Sequence, residues 1–345
     1  MVQMIFKLIL PYIYKIGFDL KVKPKKKFQF INDDFSKHKI KKISFGSKNP
    51  QTKFYVIKRS PGGGFFSNLL YVLHHLKIAD QKKMHAVIDM ENFPTNYNQK
   101  NNINKTKNVW EIWFKQVSNY SLRQVYQSKN VYFSPTRFVF FLEGYKRKAL
   151  KKIFDKYIYL QPKINNDVNK FVLKYFKDKR VLGIHMRGTD QKISARHSHP
   201  PTIYQVMDII DYKIENKLID KIFLLTEDLD YYEFLKKRYG KLICYHNVFR
   251  GSSSTEFSNS KRQNHRNRLG IENLIEAITL SKCNELLYCE TNISLFSIFY
   301  SNFKIKKIHI NMGVKSSNIL ISRFSWYLLI FLPHLFKNYL SKVLK

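Results

Sequence analysis

The stretch Val181 to Asp190 (VLGIHMRGTD) constrains the fold of this chain more than any other. A short, mostly apolar run reads as a strand buried on both faces, the kind found in parallel sheets. Directly after it come an imidazole, a guanidinium and a carboxylate: His185, Arg187 and Asp190, with Gly188 among them. In open α/β sheets ligands bind just past the carboxyl ends of strands. Arg187 at such an end suits a phosphate, because a guanidinium stays charged and its planar fork bonds two oxygens at once.

The rest of the sequence supports an α/β fold. Residues 53–59 read as a strand, 60–64 as a glycine turn, 65–82 as a helix and 84–90 as a second strand. Residues 91–145 read as irregular and aromatic, followed by a basic helix over 145–158. Beyond them, strands are expected at 181–186, 221–225, 242–245, 285–289 and 305–310. Helical spacing marks Val168–Tyr175, Ile203–Ile214, 229–239, Ile271–Ile278 and a short helix opened by Thr291 or Asn292. Residues 246–268 read as a polar loop. Such alternation predicts parallel, doubly wound sheets. The expected organisation is a basic, apolar extension over 1–45, an α/β domain over 46–165, a Rossmann-like domain over 166–312 and an amphipathic basic tail over 313–345. Two such domains would face each other across a cleft.

Composition narrows the function classes. The chain has 345 residues, and 61 Lys and Arg against 25 Asp and Glu give a net charge of +36. A field of that sign attracts polyanions. Three cysteines, Cys244, Cys283 and Cys289, form no disulfide framework and have no zinc-ligand spacing, which fits a reducing compartment. Both ends carry apolar residues among lysines, with Pro11 breaking the first run and only thirteen uncharged residues in the run from Phe324 to Phe336. Thirteen residues are too few to span a bilayer, and the first run carries Lys7, Lys15 and Asp19. Peripheral contact with the inner membrane face from the cytoplasm is the expectation.

Three further places carry ligand-type residues. Gly62, Gly63 and Gly64 precede a helix that opens with Phe65, Ser67 and Asn68. A glycine turn lets backbone approach a ligand, and a helix start favours an anion. Glu227 and Asp228 end an apolar strand, where carboxylates accept bonds from ribose or a base edge, or cap the next helix. Thr291, Asn292 and Ser294 open a helix after another strand. His197 and His199 lack a third partner for a metal.

In combination these motifs resemble the GDP-fucose-dependent fucosyltransferase superfamily, which includes protein O-fucosyltransferases, α-1,6-fucosyltransferases and nodulation fucosyltransferases. His185-Met-Arg187-Gly-Thr-Asp190 is similar to that family's His-x-Arg-x-x-Asp motif. The Leu224–Asp228 strand end, the Gly270–Ser297 segment and the turn Gly63–Asn68 resemble its other motifs in order. The resemblance implies a GT-B-like fold of two Rossmann-like domains, inversion at the sugar carbon, and no metal or cofactor. It implies GDP-fucose as donor and a glycan or glycolipid as acceptor, with no role for nucleic acid. It gives Arg187, Asn68 and Asp190 catalytic positions. It places Gly63, Gly64, Phe65, His185, Glu227, Asp228, Thr291, Asn292 and Ser294 around the substrates. One position departs: where α-1,6-type members have an acid five residues after the motif's Asp, this chain has Ala195. Asp89 and Glu91 stay open as bases. Two other readings compete. One is a dinucleotide-dependent oxidoreductase using the Gly62–Gly64 turn and Asp89; the other is a nucleic-acid binder driven by charge.

Overall fold

The computed structural model describes residues 25–33, 39–99, 107–135, 142–192, 194–251 and 262–331. Two compact units emerge. Among the described residues, one runs from Lys25 to Asn166 and includes a later segment ending at Leu274; the other begins at Asp167 and resumes at Ile275.

The first unit holds helix α1 (Lys26–Asp33), strands β1 (Lys41–Ile43) and β2 (Lys48–Ile57), helix α2 (Phe65–Gln81), and strands β3 (His85–Ile88) and β4 (Ser128–Phe133). Helix α3 (Lys148–Tyr157) follows. The sheet order is β1-β4-β2-β3. β2 runs parallel to both β3 and β4, and β1 is antiparallel to β4. β2 is central because Phe54 to Ile57 are buried on both faces. Phe54, Val56, Val87, Val131 and Phe133 form one core with Phe28 and Ile31 of α1.

Two expectations change here. Residues 26–33 and 41–43, assigned to the 1–45 extension, belong to this unit, because Phe28 and Ile31 sit one helical turn apart and bury against the sheet. Residues 1–24, and 332–345 of the basic tail, lie outside the described residues. β4 falls within 91–145, a stretch that reads as irregular. Its Ser-Lys-Asn start hides the strand, and only Val131 and Phe133 alternate inward.

The second unit holds α4 (Pro162–Tyr175), β5 (Val181–His185), α5 (Ile203–Glu215), β6 (Lys221–Leu225), α6 (Leu229–Tyr239) and β7 (Ile243–Cys244). Then come the end of α7 (His265–Leu280), whose residues from Ile275 on belong to this unit, β8 (Glu285–Tyr288), α8 (Asn292–Tyr300), β9 (Lys306–His309) and α9 (Ile319–Phe331). All five strands are parallel, in the order β7-β6-β5-β8-β9. Both faces are covered. Leu182, Ile184, Ile222 and Leu224 pack with Val206, Ile210 and Leu235. Val181, Phe223, Leu225 and Leu286 pack with Phe176, Leu280 and Ile298. Burial on both faces is why these strands read as unbroken apolar runs. The chain order reverses direction between β5 and β8, which makes their carboxyl ends a switch point.

The segment ending at Leu274, expected inside the 166–312 domain, groups with the first unit. With its amide turned so that the oxygen faces them, Gln99 caps the start of α7 by accepting from the His265 and Arg266 N–H groups. Gly270 lies so close to the Trp113 indole that a Cβ would stand 2.5 Å from it.

Several histidines are buried without charge. His75 is fully buried, its Nδ1 2.8 Å from the Tyr55 hydroxyl. Burial lowers His75 and His185 to about 3 and His246 to about 4, against an ordinary 6.5. The folded state keeps them neutral, whereas the unfolded chain protonates them near 6.5. Their contribution is complete above that value and is lost as pH falls toward 3 to 4. Each can contribute up to about 1.4 kcal/mol per pH unit inside that window. The melting temperature is therefore expected to drop by several degrees between roughly pH 7 and pH 5, above the range where most carboxylates titrate. A flat calorimetric profile over that range would contradict neutral burial.

Candidate functional site

β5, β6 and β8 lie side by side, and their carboxyl ends bring together the residues that the sequence singles out. His185 ends β5 and is completely buried. Its Nδ1 lies 3.3 Å from Thr291 Oγ1, across the switch point. Its Nε2 is buried and has no protein partner among the described residues. Burial, and then the neighbouring Arg187 charge, keep the ring neutral. A neutral imidazole with one unsatisfied nitrogen is equipped to bond a ligand hydroxyl or amide.

Thr291 caps α8, accepting from the Ser294 N–H, while the Ser294 hydroxyl accepts from the Thr291 N–H. Thr291 and Ser294 are thus capping residues, and Thr291 also fixes the histidine. Asn292 opens the helix with its Oδ1 buried and unpartnered among the described residues. Cys289 sits just before them. Burial pushes its thiol up to about 12, so it is no nucleophile at neutral pH.

Arg187 follows β5 with its side chain partly exposed, and its Nε lies 3.2 Å from Glu227 Oε1. The same carboxylate oxygen accepts from the Gly188 N–H at 2.9 Å and from the Thr189 hydroxyl at 3.3 Å. Asp228 caps α6 through the Tyr231 N–H. It also accepts from the Thr189 N–H at 3.1 Å and from Lys192 Nζ at 2.6 Å. Asp228 therefore holds the loop and the helix, and Glu227 is the acid that faces Arg187. Gly188 is required here: a Cβ would meet Asp228 Oδ2 at 2.2 Å. Thr189 takes a φ of +38°, which is strained for a β-branched residue. Asp190 lies on the short turn Thr189–Lys192; its side chain lies outside the described residues.

A second layer is not legible in the sequence. Lys315 is buried, and its ammonium donates to the carbonyls of Gln191 and Ser198. Backbone bonds join Lys315 to His197, Arg196 to Ser316 and His199 to Gly313. The segment before α9 thus clamps the loop that carries Arg187. No local pattern announces this, because Lys315 and Gln191 are 124 positions apart. His199 is buried beside this clamp, lowered to about 4 by burial and then by Lys315. Among the described residues, no three His, Cys, Asp or Glu side chains gather into a metal-binding group.

In the first unit the glycine turn lies between β2 and α2, as its sequence position requires. Gly62 has a φ of +77° and no room for a Cβ against Asn68. The Asn68 carboxamide accepts from the Gly63 N–H at 2.8 Å and donates to the Gly63 carbonyl at 3.1 Å. Both ends of the amide are thus engaged in shaping the turn. Phe65 opens α2. It is buried against Trp113 and Tyr97, with its N–H donating to the Tyr97 hydroxyl. Gly64 starts α2 and is exposed.

Asp89 is also engaged. Its oxygens accept from the Glu91 and Asn92 N–H groups, the Asn92 amide and the Tyr126 hydroxyl. It is fully buried and cannot reach a ribose, which removes the acid the oxidoreductase reading needs. Glu91 pairs with Lys25 at 2.7 Å. Sequence reasoning passes over Lys58 and Arg59, two cations that follow the central strand. Burial lowers Lys58 to about 7, and Arg59 lies 4.7 Å from the Tyr71 ring centre and 3.5 Å from Asn68.

No protein-family model matches the chain, and no curated protein matches it. Solved structures do. NodZ α-1,6-fucosyltransferase co-crystallized with GDP superposes with a TM-score of 0.50 at 12% identity, covering 77% of this chain and 100% of that one. NodZ soaked with GDP-fucose gives 0.50 at 13%, covering 76% and 96%. A point mutant of Arabidopsis thaliana FUT1 in complex with GDP gives 0.45 at 11%, covering 77% and 71%. The protein shares the fold of the NodZ structures.

The Gly188→Ala substitution tests the loop. A methyl group 2.2 Å from a carboxylate oxygen forces the loop or Asp228 to move. Overpacking of this kind costs about 1–3 kcal/mol. A melting temperature lowered by a few degrees is expected in calorimetry. Unchanged stability would show that the close approach is unimportant.

Proposed function

We propose that the protein transfers fucose from GDP-fucose to a glycan or glycolipid acceptor, with inversion and without a metal. A surface polysaccharide or glycoconjugate is the acceptor class in view. The observation that carries this reading is Arg187 just past the tip of β5, beside the switch point of a parallel sheet and facing Glu227. The fold shared with NodZ supports it, as does the order of the strand-end motifs.

In this reading the chemistry is a displacement at the sugar carbon. The acceptor oxygen forms a bond to that carbon while the bond to the β-phosphate oxygen breaks. GDP departs with the electron pair, and the acceptor proton is released to solvent. Negative charge grows on the leaving diphosphate, and Arg187 is the cation placed to meet it. Preorganised charge of this kind stabilises a transition state because nothing must reorient as it forms. Glu227 holds Arg187 in place before the donor arrives, and the Gly188 and Thr189 contacts hold Glu227. The neutral His185 and the Asn292 amide are suited to hydroxyls and the base edge of the nucleotide. No acid in the first unit is offered as a base. Asp89 carries four hydrogen bonds and Glu91 an ion pair, so bond breaking running ahead of bond making suits this site best. A cytoplasmic position beside the inner membrane face would bring lipid-linked acceptors within reach.

Arg187→Ala is expected to lower the rate of transfer at least about a hundredfold while the melting temperature stays within a few degrees. In a thermal-shift panel GDP and GDP-fucose should stabilise the wild-type protein, and UDP, ADP and NAD should not. A variant that keeps more than about a tenth of its activity, or stabilisation by NAD alone, would sink the proposal.

A further inference from the structure

The end of the described chain is built inside out. Helix α9 turns Ser322, Arg323 and Trp326 inward, where all three are buried. It turns Leu320, Ile321, Phe324 and Leu328 outward, exposed by 68%, 56%, 68% and 40%. At 3.6 residues per turn these four fall within an arc of about 100° on one side of the helix. A helix on a globular domain normally shows the opposite pattern, and a contiguous exposed apolar stripe marks an interaction surface. Lys315, Ser322 and Arg323 anchor the inner side, with the Ser322 hydroxyl donating to the Ser194 carbonyl. The stripe is therefore held outward by contacts on its back.

We infer that this stripe docks the protein on an anionic lipid surface, lying in the plane of the headgroups. Charge selects that occupant. From Gly313 to Lys345 the sequence has no Asp or Glu, and beyond the inward-facing Lys315 and Arg323 it carries Lys337, Lys342 and Lys345. The whole chain carries +36. Apolar residues flanked by basic ones bind anionic interfaces through partial insertion plus attraction to headgroups. Among the described residues, no helix is long and apolar enough to cross a membrane, so the contact lies along the surface. This inference stands apart from the proposed reaction and would survive its failure.

The test uses the full chain and sedimentation with vesicles. Wild-type protein should pellet with vesicles of equal parts phosphatidylcholine and phosphatidylglycerol, should not pellet with phosphatidylcholine alone, and should bind more weakly as salt rises. The triple substitution Leu320→Ser, Phe324→Ser and Leu328→Ser should lower partitioning at least about tenfold. Its melting temperature and its response to GDP should be unchanged, because the three side chains face outward. Three outcomes would overturn the inference. The first is a wild-type protein that fails to bind anionic vesicles. The second is a triple variant that binds as tightly as wild type, which would leave general surface charge as the cause. The third is a wild-type dimer in light scattering that the substitutions dissociate, without any vesicle binding, which would make a second copy the occupant.

Discussion

Two neighbouring carboxylates just past the end of β6 set the geometry on which the rest of the site depends. Glu227 and Asp228 accept the N–H groups of Gly188 and Thr189, in the first turn after β5. Thr189 sits in a left-handed conformation that costs on the order of 1–3 kcal/mol. Hydrogen bonds to ionised groups contribute about 1.5–3 kcal/mol each. Two to the backbone, one from the Thr189 hydroxyl and one from Lys192 together outweigh the strain. The turn is thus held in a shape the backbone would not adopt alone, and Arg187 leaves β5 in a direction fixed before any ligand arrives.

The Arg187–Glu227 contact is a compromise between stability and availability. A fully buried pair would hold the guanidinium tightly and leave it hard to recruit. A cation without an acid beside it would be costly to keep among apolar neighbours. Here the Nε contact at 3.2 Å sits in a partly exposed position, where ion pairs contribute little. A phosphate can compete for a guanidinium in such a position, because it offers charge together with two oxygens in a matching fork.

What the sequence reveals and what it hides follow physical lines. β5 and β6 are legible within a residue because burial on both faces forces unbroken apolar runs, and the side chains just beyond them stand out by contrast. The Thr291 cap is legible because capping is a local contact within one turn. β4 and α1 are not, since two inward residues in a short polar segment leave no period to detect. Asn68, Phe65 and Asp89 stand out as residues, but their roles do not. What decides those roles is Tyr97, Trp113 and Tyr126 for the last two, and the turn geometry of Gly63 for the first. Lys315 is the extreme case. A lysine in a basic tail looks like solvated surface until the fold buries it between two carbonyls.

That buried lysine also changes how the end of the described chain is understood. An ammonium loses several kcal/mol of hydration on burial unless its donors are satisfied. The carbonyls of Gln191 and Ser198 supply this, and they belong to the loop that carries Arg187. Neither side is stable in its present shape without the other: the loop carbonyls need a donor, and the lysine needs acceptors. Since α9 begins at Ile319, a single turn beyond Lys315, the outward apolar stripe and the turn that carries Arg187 rest on one short, shared segment.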